Sequence, residues 1–187
     1  MKLLKTYLHY VDDPTNTLAK LFKERGFKEA LWGYFIATLS WVLFFNIGDS
    51  LSAFALFFKL AILFVAELTI GYFLAAICSL FLDFSNIKNS PAELFILIGT
   101  AGFIKGLLIA FALISATIPY AKLGYLAPFA LLLVFGLQLG YLTRNVQRLY
   151  HTSIGKALTT WLFAVVPVTA AVVLLGIFFI WGIVLLF

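Results

Sequence analysis

The chain has 187 residues, of which 64% are apolar and 11% charged, and a formal net charge of +5. Soluble domains run at roughly 45–50% apolar and 25% charged, so no water-soluble surface can be assembled from this composition. That leaves an all-α integral membrane protein, in which the positive charge marks orientation and contact with anionic headgroups, and nucleic acid is not a partner.

Residues 1–29 form the first segment. Leu3, Leu4, Tyr7, Leu8 and Val11 fall on one side of a helical wheel, with Lys2, Lys5 and His9 on others, which predicts an amphipathic helix. Asp13-Pro14 then supplies a helix start, and Leu18, Leu21 and Phe22 make an apolar stripe opposite Lys20, Lys23 and Glu24, with Gly26 as a stop. Two short helices with basic polar faces suit the interfacial plane of a membrane, or the docking of a partner protein. The beginning of the chain has neither the apolar core nor the small-residue cleavage site of a signal peptide, so the whole chain is expected to be retained.

Residues 30–187 read as one domain of five spans, at about 30–47, 53–82, 92–116, 125–142 and 157–187. The second is overlong for a hydrocarbon core of about 30 Å and must tilt or open with a turn in the interface. Lys59, near its start, can snorkel outward. Ser90 and Pro91 read as the cap and first residue of the third span. The last run contains Pro167 but no polar turn, so it counts as a single kinked or tilted helix.

Basic residues outside the spans test this topology. Lys2, Lys5, Lys20, Lys23, Arg25, Lys28, Lys88, Arg144, Arg148 and Lys156 fall on one side and only Lys122 on the other. Ten against one is a strong positive-inside asymmetry, which predicts a cytoplasmic N-terminus and a C-terminus on the opposite side.

Two charges lie near the middle of apolar runs, Glu67 in the second span and Lys105 in the third. Each costs at least a few kcal/mol at that depth unless paired or lining a polar cavity. From residue 87 in the connector, Glu67 is 20 residues back and Lys105 18 forward, a difference in depth of about 3 Å at 1.5 Å per residue. The two are therefore expected to pair, either to fix helix register or to serve a proton, ion or polar-solute pathway, the alternative being two unrelated charges that face different partners. Gly71 shares a face with Glu67, and Gly99, Gly102 and Gly106 flank Lys105, so close helix approach is expected to bury the pair. Gly136 and Gly140 form a second close-packing stripe around Gln138, suited to another span or to a second copy of the chain. Arg144, Arg148 and Lys156, near His151, face the cytoplasm as retention charges or a headgroup site.

Catalytic chemistry is hard to find. Cys78 is the only cysteine, which leaves no disulfide or cysteine metal site. The two histidines are far apart, no His-Glu-x-x-His or Walker loop occurs, and Ser153-x-x-Lys156 lacks an oxyanion element. No enzyme, cofactor or metal is expected.

The Asp13-Pro14 start, the stretch Leu21-Phe-Lys-Glu-Arg-Gly-Phe-Lys-Glu-Ala-Leu31 leading into span one, five spans, and Ser153-Ile-Gly-Lys-Ala-Leu158 opening the last span together resemble a bacterial member of the Ypt-interacting-protein (Yip) domain family. The likeness covers nearly the whole chain. It implies five spans with a cytoplasmic N-terminus. Eukaryotic members sit in secretory membranes with Rab GTPases; the Asp-Leu-Tyr-Gly-Pro motif that several carry before span one does not occur here. The reading is thus a non-enzymatic scaffold or membrane-organising protein of a bacterial inner membrane, against a small transporter, channel or lipid-handling protein using Glu67 and Lys105.

Overall fold

The computed structural model describes residue 16 and residues 26–46, 52–117 and 123–186. The helices are α1 (Phe27–Asn46), α2 (Ala53–Phe84), α3 (Pro91–Ala101), α4 (Leu107–Thr117), α5 (Leu123–Leu149) and α6 (Ile154–Leu186), with a 3-10 turn (Gly102–Gly106) joining α3 to α4 into one rod. There is no strand among the described residues. The amphipathic helices expected before residue 26, the Lys122 loop and the terminal Phe187 lie outside the described residues.

Local chemistry sets the helix starts. The Ser52 hydroxyl accepts from the Ala55 N–H at 3.2 Å and caps α2. Ser90 holds the cap position of α3, but its hydroxyl makes no cap bond, so that start rests on Pro91, whose missing N–H would be orphaned in any first turn. Ser153 Oγ accepts from the Lys156 N–H at 3.3 Å and caps α6. That bond gives the Ser153-x-x-Lys156 pattern an ordinary structural role.

Four segments are long and apolar enough to cross a membrane: Ala53–Phe84, Pro91–Thr117, Ala127–Leu149 and Ile154–Phe178. Their outward faces carry Phe54, Phe57, Val65, Leu132, Leu175 and Phe178, all exposed, an apolar surface far larger than water tolerates. The protein is an all-helical membrane protein. α1, expected as the first span, is shorter than these four. Gly33, Tyr34, Thr38 and Ser40 dilute it, and all four are buried. The hydroxyls of Thr38 and Ser40 bond the carbonyls of Tyr34 and Ile36 at 2.9 and 2.6 Å, so they need no water.

The overlong second run is one helix of 32 residues, and the last run stays a single helix through Pro167. The third run departs from a plain span. Gly102 and Gly106 bracket the 3-10 turn, a residue type that weakens α-helix wherever it stands in the interior. Over five residues such a turn winds through about 600° where an α-helix winds through about 500°, so everything after it is rephased by about 100°.

α1 and the α3–α4 rod run parallel. Ala30 packs with Ile96, a side chain on Gly102 would meet Gly33, and Phe44 shares a buried cluster with Leu108 and Ala112. α2 returns antiparallel between them in sequence, and its end joins the start of α3 through Asn89. The Asn89 Nδ2 donates to Asp83 Oδ1 at 2.7 Å, and its Oδ1 accepts from Ser79 Oγ at 2.6 Å. α6 packs on α2 through the stacked rings of Phe81 and Phe163, 4.9 Å apart.

The α2–α3 and α5–α6 connectors meet at one end of the bundle, where the Tyr150 hydroxyl donates to Glu93 Oε2 at 3.3 Å. Lys28, Lys88, Arg144, Arg148 and Lys156 are all exposed and on segments at or near this end. Burial first, then the charge of Glu93 and the bond to it, push the Tyr150 phenol well above its ordinary value. A phenol held protonated in the folded state contributes stability below the ordinary tyrosine value of about 10 and loses it as pH rises beyond that. Tyr150→Phe is therefore expected to flatten the alkaline arm of a stability-versus-pH curve. An unchanged arm above pH 10 would mean that this contact is not formed.

Candidate functional site

Glu67 and Lys105 meet in the middle of the bundle. Lys105 Nζ lies 2.8 Å from Glu67 Oε1 and 3.1 Å from Oε2, with 11% and 17% of the two side chains exposed. The sites are central in their spans: Glu67 is 14 residues from the start of Ala53–Phe84, and Lys105 is 14 from the start of Pro91–Thr117. At such depth a lone charge is costly, and the pairing offsets part of that cost.

A third residue completes the site. The indole Nε1 of Trp41, on α1, donates to Glu67 Oε1 at 2.9 Å, and the Lys105 ammonium sits 5.7 Å from the centre of the Trp41 ring. One side chain thus bonds the anion through its edge and faces the cation with its π-cloud. The site joins α1, α2 and the 3-10 turn. Trp41 reads in the sequence as one more membrane tryptophan, and nothing in its spacing marks it as a partner for a charge 26 residues away.

Beside the pair is a pocket of about 60 Å³, lined by Tyr34, Glu67, Gly71, Gly102, Lys105 and Gln138 among others. Gln138 comes from α5 and is the middle residue of Ala127–Leu149, 11 residues from each end. It stands between two glycines, and that context hides it: the Gly136–Gly140 spacing draws attention to packing and away from the amide.

Gly71, Gly99 and Gly102 stand at close helix contacts, and the helix they meet is α1. A side chain at Gly71 would strike the Tyr34 ring of α1. Gly99 and Gly102 likewise face α1: an added Cβ would stand 2.7 Å from Tyr34 Cε2 at Gly99 and 2.6 Å from the Gly33 carbonyl oxygen at Gly102. The close contact they permit is with α1, through its own small residues Ala30, Gly33 and Ala37. Gly106 sits looser: an added Cβ would stand 3.6 Å from Ile36 Cγ2. A Cβ added at Gly136 or Gly140 would meet nothing within 4 Å among the described residues, so the second stripe makes no close helix contact there. α5 meets the rest of the bundle through Ala130 and Val134 instead, on a neighbouring face.

Arg144, Arg148 and Lys156 are all exposed and are not brought to the ion pair. His151, next to them, holds a left-handed backbone at φ 48° in the turn between α5 and α6. No group of three or more His, Cys, Asp or Glu able to hold a metal occurs among the described residues. Compared with known families, curated proteins and solved structures, the chain gives no match.

Proposed function

We propose that the chain is a non-enzymatic multi-pass membrane protein of Yip-domain type, with five spans, its N-terminus in the cytoplasm of a bacterium and its membrane the inner one. It acts at the cytoplasmic face, through the N-terminal segment and the basic residues Arg144, Arg148 and Lys156, on membrane organisation or on a partner protein. Glu67 and Lys105 lock the helices in register.

The observation that carries this reading is the closure of the ion pair. Its charges neutralise each other at 2.8 Å, Trp41 holds both, and the adjoining pocket of about 60 Å³ has room for only about two to four molecules of water at ~15–30 Å³ each. A hydrated ion does not pass through such a space. Counting α1 as a span is supported by its 20 residues, about 30 Å of helix, and by its parallel packing along the α3–α4 rod, which gives it the depth of that rod. The gathering of exposed basic residues at one end supports the orientation.

Proteoliposome flux tests the reading. Wild type and Glu67→Gln are expected to leak protons, sodium and potassium no faster than protein-free vesicles. A flux that Glu67→Gln abolishes would instead establish a transporter or channel. Cysteine accessibility from each side is expected to place residue 88 with residue 148 and opposite residue 187.

A further inference from the structure

We infer that the pocket beside the ion pair is a hydration site, holding a small cluster of water that bridges Gln138 to Glu67 and Lys105 in the centre of the membrane. The inference does not depend on the cytoplasmic role proposed above.

It starts from Gln138. A primary amide has two donors and an acceptor with two lone pairs, and this one has no hydrogen-bond partner among the described residues. It lies at the middle of its span, where lipid offers it nothing, and an amide left unbonded in hydrocarbon is strongly disfavoured. Yet it does not turn away. It lines the same pocket as the two charges.

The opposite wall is amphoteric. The ammonium of Lys105 has three N–H donors, and its two hydrogen bonds both go to one carboxylate. Glu67 Oε2 accepts from Lys105 and keeps lone pairs, while Oε1 serves both Lys105 and Trp41. The Tyr34 hydroxyl donates to the Phe95 carbonyl at 3.2 Å, so its oxygen can still accept. A cavity that offers donors and acceptors together fits a molecule that is both. A buried water needs two to four polar partners, and the pocket supplies four.

Size narrows the occupant further. At about 60 Å³ the pocket takes two waters at liquid density and up to about four at the minimum of ~15 Å³ each. A bare cation is disfavoured by Lys105, an anion by Glu67. Gly71 and Gly102 also line it, and Gly102 begins the 3-10 turn that carries Lys105. A mid-helix turn of this type is where a hinge or site is often found.

The test is radiolytic hydroxyl-radical labelling of the full chain in nanodiscs, where bound water generates the radical next to the side chains it touches. Tyr34, 2% exposed, is expected to be oxidised several-fold faster than Phe44, which is 0% exposed in the apolar cluster with Leu108 and Ala112. In Gln138→Leu, and in Gln138→Met of similar length, that excess is expected to vanish and the melting point to fall by about 2–4 °C. Oxidation of Tyr34 no faster than Phe44 in wild type overturns the inference outright, and needs no variant to fold. A melting point raised by Gln138→Leu overturns it too, because a dry pocket gains from losing an unpaired amide. Labelling of Tyr34 that both variants leave unchanged removes Gln138 from the site and with it the bridge.

Discussion

Lys105→Met lowers the unfolding free energy of this bundle by about 3–5 kcal/mol, the cost of removing one partner of a buried ion pair. The double variant Glu67→Gln/Lys105→Met is expected to recover most of it. The asymmetry follows from what each change leaves behind. Without Lys105, the Glu67 carboxylate loses its counter-charge at the middle of its span and keeps only the hydrogen bond from the Trp41 indole. With both charges gone, the glutamine amide still accepts from Trp41, and methionine fills the volume of the lysine stem. Unfolding in mixed micelles, titrated with a denaturing detergent and followed by helical circular dichroism, gives the three free energies. If Lys105→Met falls within about 0.5 kcal/mol of wild type, the pair does not hold the register and its place at the bundle centre needs another explanation.

How far the sequence reached is visible in this same site. Glu67 and Lys105 stand out because a charge inside an apolar run is rare and expensive, and their depths follow from a residue count at a fixed rise. Both residues are where that count puts them. Trp41 and Gln138 could not be reached in this way. They belong to α1 and α5, and which helix lies beside the α2–α3 hairpin is decided by the packing of the bundle, to which no short-range spacing corresponds. The glycines show the same limit. Small residues at intervals of three and four mark a face that some helix will approach closely, but Gly71, Gly99 and Gly102 all face α1, and Gly136 and Gly140 face no described residue. The 3-10 turn adds a second difficulty: it rephases α4, so faces drawn for an unbroken helix from residue 92 to 116 are displaced beyond Gly106. Helix number is legible from apolar runs. Only α1 strains the rule, since its polar residues are buried against its neighbours or bonded to its own backbone.

Gly33→Ala should be the most damaging of the glycine-to-alanine changes among the described residues. An alanine Cβ at this position would run into the carbonyl of Gly99 and come within 3.3 Å of the Thr100 Cα, and both belong to the backbone of α3. A side chain could swing aside; a helix backbone cannot, so α1 and α3 must part along a contact that Ala30, Ala37, Gly99 and Gly102 make close. Overpacking of this kind costs about 1–3 kcal/mol, and a clash with backbone belongs at the upper end. The intrinsic preference of helices for alanine, about 1 kcal/mol, offsets only part of it. Gly136→Ala and Gly140→Ala isolate that preference, since a Cβ at either site meets nothing within 4 Å; both are expected to be neutral or slightly stabilising. A second readout separates local damage from displacement of α1. Trp41 lies eight residues beyond Gly33 on the same helix, about 12 Å along its axis, so a shifted α1 draws its indole away from Glu67. The Trp41 indole N–H resonance is expected to move upfield and exchange faster in Gly33→Ala and to stay in place in Gly136→Ala. Equal stability of the two variants would show that α1 does not press against α3, and the three-helix setting of the ion pair would fall with it.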